Sequence, residues 1–407
     1  MKLRLDTQST PCSMAVIITT AALMCLGVVM VFSAGETLGE GPFDRGILAS
    51  PELRQAAFSA IALVTLLIVS VIPTRIWAIR RGKWFQPVVF LALLALTLLV
   101  LVLIPGIGEK RNGARRWLSV GPDAFGLGFQ PSEVAKAAMT LFLAAWCAWI
   151  GPRIRKFWTG LLPTLMIVGL FVGLVGIEDF GTAALLALVG ACVVLGAGAR
   201  IWHLAMMSLP GVIGIVYLIT QRTNRMQRLL TFLNPEADPQ GFGYQPIQSL
   251  LTIASGGWWG RGLGAGVQKY GYLPEGRTDF IFSVICEELG IIGGIAVIGL
   301  FAVLLWQGRK ATSGAPSDFG RLLGLGVTLM VGFQAAINIA VVTVSVPTKG
   351  ISLPLVSAGG TGVIFFAILI GLLANVARAA PIETPQWDSG PSSVGRADRT
   401  LIPGGAA

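Results

Sequence analysis

What most constrains this 407-residue chain is a succession of apolar runs long enough to cross a bilayer, at about 14–34, 56–73, 86–105, 133–150, 160–176, 182–198, 202–220, 280–306, 322–343 and 358–377. A hydrocarbon core about 30 Å thick takes roughly 20 apolar residues of helix. With 54% hydrophobic and 12% charged residues and a mean hydropathy of +0.76, the chain is excluded from the ordinary soluble class. The expected fold is an all-α integral membrane protein of ten transmembrane helices, because a helix satisfies its own backbone in lipid. Residues 1–378 form a single polytopic membrane domain in this reading, and 379–407, rich in Pro, Gly and Ser, a disordered cytoplasmic tail. The first run follows Lys2 and Arg4 and exceeds the usual length of a signal-peptide core, so it reads as a retained span.

Basic residues in the short connections set the expected orientation. Arg75, Arg80, Arg81 and Lys83 follow the second run, Arg153, Arg155 and Lys156 the fourth, Arg200 the sixth, and Arg309, Lys310 and Arg321 flank the gap after the eighth. The positive-inside bias puts these loops and both termini in the cytoplasm. The large loop 221–279, between the seventh and eighth runs, then lies outside the membrane. Five cysteines without paired spacing and a single histidine, His203, predict neither a disulfide framework nor a Cys/His metal site.

The outside loops are unusually basic. Residues 109–130 carry Lys110, Arg111, Arg115 and Arg116 against Glu109 and Asp123, while 221–279 adds Arg222, Arg225, Arg228, Arg261, Lys269 and Arg277 against Glu236, Asp238, Glu275 and Asp279. Long loops translocate regardless of charge, which is one explanation. The other is an anionic ligand whose phosphate oxygens are read by Arg and Lys. Within the long loop, Arg225–Leu233 and Gln245–Ile253 have helix-like apolar spacing and read as helices lying on the membrane. Trp258, Trp259 and the glycines at 256, 257, 260, 262, 264 and 266 suit either close approach to a ligand or a hinge.

Three polar groups stand out at helix starts and inside runs. Asp279 precedes Phe280-Ile-Phe and could simply be an N-cap. On a helix it would share a face with Ser283, Cys286, Glu287 and Gly290, with Glu287 about 12 Å deeper. A buried acid there should face a cavity or a cation. Glu133 and Lys136, at i and i+3 in Gln130-Pro-Ser-Glu-Val-Ala-Lys136, fit either a first-turn ion pair or a cavity lining. Gln334 and Asn338 suit hydrogen bonds between helices.

Taken in order, Gly113-Ala-Arg-Arg-Trp117, Gln130–Lys136, Asp179-Phe-Gly-Thr182, Asn234-Pro, Gly243-Tyr-Gln245, Tyr272-Leu-Pro-Glu275, Thr278-Asp-Phe-Ile-Phe282, Glu287-Glu-Leu-Gly290, Pro347-Thr-Lys-Gly350 and Leu353-Pro354 resemble the shape, elongation, division and sporulation (SEDS) family over residues 14–378. Val267–Glu275 and the lysine of Pro347-Thr-Lys349-Gly resemble its division members most. Two segments depart from the pattern: Glu178 stands where members usually have Pro, and Ser357-Ala-Gly-Gly-Thr-Gly362 stands for Ser-Tyr-Gly-Gly-Ser-Ser.

The resemblance implies a peptidoglycan glycosyltransferase in the cytoplasmic (inner) membrane, at the division septum, that polymerises lipid II at the outer face. It implies Asp279 as general base and inversion at the donor sugar. Arg115, Arg116 and Lys349, together with Arg277, become candidates for binding the diphosphate, and Glu133 and Lys136 for shaping the cavity. No cofactor is firmly implied; a divalent cation, Mg or Mn, held by Asp279 would compete with its role as base. The implied partners are a class B penicillin-binding protein transpeptidase and other division-complex proteins, with no nucleic acid. A lipid II flippase, or a division scaffold without chemistry, would suit the same ten-helix pattern. Ionisable residues gathered in the outer half favour the enzyme.

Overall fold

The computed structural model describes residues 10–35, 50–79, 86–111, 114–119, 128–206, 211, 214, 223–267 and 271–379. Four of its helices begin with proline at the first turn, where the missing N–H costs no hydrogen bond: α1 (Pro11–Ser33), α2 (Pro51–Val71), α3 (Pro87–Leu103) and α4 (Pro131–Ile150). They are followed by α5 (Leu162–Glu178), α6 (Phe180–Gly196), α7 (Thr223–Leu233), α8 (Tyr244–Gly256), α9 (Ile281–Ser313), α10 (Asp318–Val342) and α11 (Gly360–Ala379).

Among the described residues seven helices are long and apolar enough to span a membrane, and α3 and α6 are shorter apolar helices of 17 residues each. Together they match nine of the ten expected runs. Most of the run at 202–220, and the expected tail beyond Ala379, lie outside the described residues, as do Arg222, Lys269 and Asp123.

The all-α expectation needs one correction. Strands β1 (Gly108–Arg111), β2 (Ala114–Ser119) and β3 (Gly128–Phe129) form an antiparallel sheet in the order β1-β2-β3. The β1–β2 ladder runs from Gly108 opposite Leu118 to Arg111 opposite Ala114.

The bundle is built on pairs: α2 with α11, α3 with α4, α5 with α6, and α9 with α10, while α1 packs on α9 and α11. Small residues allow close approach where α9 meets α10; a Cβ on Gly324 would lie 2.8 Å from Thr312 Oγ1, and one on Gly308 would collide with Thr328. The expected surface helices form as α7 and α8, but α8 docks on α9 and buries Ser249 and Thr252.

Helix α9 is interrupted at Gly290, whose φ of 72° and ψ of −175° break the ladder. The adjoining Gly-rich loop repairs it. Arg261 N donates to Glu287 O at 2.9 Å and Gly262 N to Glu288 O at 3.0 Å, while Ile291 N donates to Gly257 O at 3.0 Å. Glu287 turns under this loop, accepting from Val267 N at 2.9 Å with Arg261 Nη1 3.8 Å away. Glu288 accepts from Ser33 Oγ, which in turn accepts from Gly264 N at 2.8 Å. Both glutamates are fully buried. The glycines at 256–266 thus let a backbone enter a broken helix.

A side chain at 290 would collide with the backbone of Trp258 and Gly260 and carry a left-handed φ. Gly290→Ala is therefore expected to cost at least about 1–3 kcal/mol and to open the 256–267 loop to protease. Unchanged melting and protease resistance would contradict this role.

Candidate active site: a charged cavity at one end of the bundle

A cavity of ≈410 Å³ opens at the end of the bundle where α4, α6 and α9 begin, and residues from nine segments line it. This volume falls within the roughly 300–1,000 Å³ of small-ligand sites. Asp279, Arg116, Lys349, Glu133 and Lys136, all expected site residues, line it together.

Asp279 does not cap α9; the cap residue is Phe280 and it makes no side-chain cap bond. Nor do Asp279 and Glu287 share a cavity, because the latter faces the Gly-rich loop. Asp279 is held instead through its backbone: Asn338 Nδ2 donates to both Asp279 O and Ile351 O at 2.7 Å. One residue earlier in the chain, Thr278 O accepts from Ser357 Oγ at 2.6 Å. Gly350 then lets the 348–352 segment approach the carboxylate, since a Cβ there would sit 2.8 Å from Asp279 Oδ2. Burial pushes the Asp279 pKa up to about 7; Glu275 and Asp179 push in the same direction, against the pull of Arg116 and Arg228.

Opposite Asp279, Asp179 caps α6 by accepting from Thr182 N at 3.2 Å and Thr182 Oγ1 at 2.9 Å, which accounts for the Asp-Phe-Gly-Thr segment. Arg116 closes the end of α5: its Nε and Nη2 donate to Glu178 O at 3.0 and 2.7 Å, and its Nη1 lies 3.7 Å from Asp179. The Glu178 departure has a structural use, because its Oε2 accepts from Arg115 N at 3.1 Å and ties the sheet to α5. Lys349 Nζ stands 4.8 Å from the centre of the Phe180 ring.

At the cavity floor Lys136 Nζ is 2.8 Å from Glu133 Oε1 and donates to Gln334 Oε1 at 2.8 Å. Gln334 Nε2 donates to Ser352 O at 3.0 Å, so its bonding between helices also shapes the site. The second departure touches the same place: a Cβ on Gly362 would lie 3.3 Å from Glu133 Oε2, which has no hydrogen-bond partner among the described residues.

Two expected ligand-binding arginines are not among the cavity-lining residues. Arg115 alternates with Arg116 along β2. Arg277 donates to Ala34 O, Glu52 Oε1 and Gly35 O, each at 3.0 Å, joining the end of α1 and the start of α2 to the entry of α9. Conversely Arg228, Gln245, Asp179 and Gln334 line the cavity without having been singled out for it. Among the described residues no three metal-ligating side chains converge. A divalent cation would therefore rest on Asp279 and ligand oxygens, as magnesium often rests on one or two carboxylates and substrate phosphates.

Removing one partner of a buried ion pair typically costs about 3–5 kcal/mol. With Arg277 30% exposed and Glu52 9%, the lower end is expected for Arg277→Ala, with Arg277→Ala/Glu52→Ala losing less than the sum of the single changes. Thermal unfolding in detergent checks this; additive losses would mean the pair is not coupled.

A family model described as Cell cycle protein, covering FtsW, RodA and SpoVE, matches residues 14–381. Stage V sporulation protein E of Bacillus subtilis (strain 168) is 38% identical over 377 residues, covering 92% of this chain and 99% of that relative. The probable peptidoglycan glycosyltransferase FtsW of Geobacter sp. (strain M18) is 36% identical over 364 residues, covering 89% and 96%. Among solved structures, a chain of a peptidoglycan synthase complex that coordinates polymerization and crosslinking superposes with a TM-score of 0.68 at 28% identity, covering 89% of this chain and 96% of that one. RodA of Thermus thermophilus superposes at 0.63 and 27%, covering 90% and 96%. The match spans the apolar helices and every cavity-lining segment, and the chain belongs to the FtsW/RodA/SpoVE family of multi-pass membrane proteins.

Proposed function

We propose that this protein is a peptidoglycan glycosyltransferase that polymerises lipid II at the outer face of the cytoplasmic membrane, with the cavity end of the bundle outside and both termini in the cytoplasm. The observation that carries the reading is a carboxyl group, Asp279, with a pKa of about 7 in a cavity that also holds Arg116 and Lys349. A base titrating near the working pH combines a useful ionised fraction with useful basicity.

Asp279 accepts the proton of the acceptor sugar's 4-hydroxyl as that oxygen attacks the donor's anomeric carbon. The new O–C bond forms opposite the breaking bond to the diphosphate, so an α-linked donor yields a β-linked strand. The undecaprenyl diphosphate leaves with the bonding electrons, and Arg116 and Lys349 stabilise its charge. Glu133 and Lys136 set the charge and shape of the floor. A divalent cation on Asp279 would add neutralising charge at the diphosphate while competing with proton transfer.

Relatives named for division and for sporulation match at similar identity, 36% and 38%. We assign this chain to division on its Val267–Glu275 segment and Lys349, with septal placement and a class B penicillin-binding protein as partner.

Purified protein with its transpeptidase partner should convert lipid II to glycan strands, and Asp279→Asn should lower the rate at least about 10²-fold, as for loss of a general base, with the protein still folded. Strands made at the wild-type rate by the variant would remove Asp279 from the chemistry. In the wild type the rate should fall as pH drops through about 7, because protonation removes the base. A rate that stays flat down to pH 5 would contradict the assignment.

A further inference from the structure

We propose that a hard divalent cation, calcium or magnesium, binds between Glu287 and Glu288 and pins the Gly-rich loop to the broken helix, at a place separate from the cavity that holds Asp279. Neighbouring positions on a helix point about 100° apart, so these two side chains would ordinarily diverge. Here both turn under one loop residue. A Cβ on Gly266 would sit 3.0 Å from Glu287 Oε2 and 3.0 Å from Glu288 Oε1, so the two oxygens lie within twice that distance of each other. Gly266 is buried and has no left-handed φ, so what glycine provides there is space beside the two oxygens.

The same two oxygens are the unsatisfied ones. Val267 N and Ser255 Oγ donate to Glu287 Oε1 at 2.9 and 3.4 Å, and Ser33 Oγ donates to Glu288 Oε2. Glu287 Oε2 and Glu288 Oε1 have no hydrogen-bond partner among the described residues, although both side chains are fully buried. Among those residues the pair is answered by one cation, Arg261, whose Nη1 stands 3.8 Å from Glu287 Oε1 and whose side chain is 40% exposed. Like charges buried together without enough donors or counterions are costly. A divalent cation at the open oxygens offsets both charges at once. No third Asp, Glu, His or Cys joins the pair among the described residues, so the remaining ligand places fall to peptide oxygens and water. That all-oxygen set suits calcium or magnesium rather than zinc, which favours nitrogen and sulfur. The loop above, exposed at Arg261, Gly262 and Ala265, gives an ion a way in.

The test reads binding and stability and is independent of strand synthesis. The full chain in detergent is stripped with a chelator and titrated with calcium, magnesium or zinc, with binding followed by calorimetry and unfolding by temperature. Saturating calcium or magnesium is expected to raise Tm by at least about 3 °C and to protect the 256–267 loop from protease, with zinc doing less. Glu287→Gln and Glu288→Gln should each weaken cation binding at least about 10-fold. Asp279→Asn should keep the wild-type response, because Asp279 lines a different cavity. If the glutamine variants do not fold, Gly266→Ala decides the matter: it keeps both carboxylates, sets a methyl against the open oxygens, and should also weaken binding at least about 10-fold. No cation response in the wild type, or wild-type affinity in either glutamine variant or in Gly266→Ala, overturns the inference. A response lost in Asp279→Asn places the ion in the other cavity and overturns it too. So does a wild type that ignores cations but unfolds more readily as pH rises while Glu288→Gln does not, because the pair then shares a proton.

Discussion

The position of Asp279 depends on one side-chain amide. Asn338, fully buried on α10, gives both of its donor directions to backbone carbonyls, Asp279 O and Ile351 O. It thereby joins the entry of α9 to the 348–352 segment, and the small Gly350 lets that segment lie against the carboxylate. In a lipid-embedded bundle, irregular backbone is tolerated only where it is buried in protein or lines a cavity. The segments around Asp279 meet this condition because side chains from Asn338, Gln334 and Ser357 satisfy their carbonyls. The same logic governs the broken helix at Gly290, where loop amides take the carbonyls the helix cannot use.

A division of labour among charges follows. Arg277 and Glu52 hold elements together behind the site, and Arg116 caps the end of α5 while presenting its remaining edge to the cavity. Lys136 is neutralised by Glu133 at the floor. What remains facing the cavity is Asp279 and the cations around it, a carboxyl group with a raised pKa set among positive charges, which in the proposed function give or take a proton and bind negative charge. That pairing is what transfer from a diphosphate-linked donor requires.

Much of this was legible in the residues. Of the ten lipid-length runs, nine coincide with helices among the described residues, and the motif residues Arg116, Glu133, Lys136, Asp279 and Lys349 do converge on one cavity. Other features depended on information that local spacing lacks. Asp279 resembled a cap because the helix start cannot be fixed to one residue from sequence. Arg115 and Arg116 looked equivalent until a strand placed alternate residues on opposite faces. Arg228 was legible only as one of several basic residues in the loop 221–279, because which of them enters the cavity depends on how α7 seats on the bundle. The interruption at Gly290 was invisible inside an apolar run, since its compensating amides come from a loop thirty residues earlier in the chain.

The central claim is that this cavity holds a carboxyl group poised to exchange a proton near neutral pH. Infrared difference spectroscopy of the intact protein, titrated from pH 5 to pH 9, measures that directly. The account predicts a protonated carboxyl C=O band that disappears with a midpoint near 7 and is missing from Asp279→Asn. A midpoint near 4, or a band that survives the substitution, would contradict it.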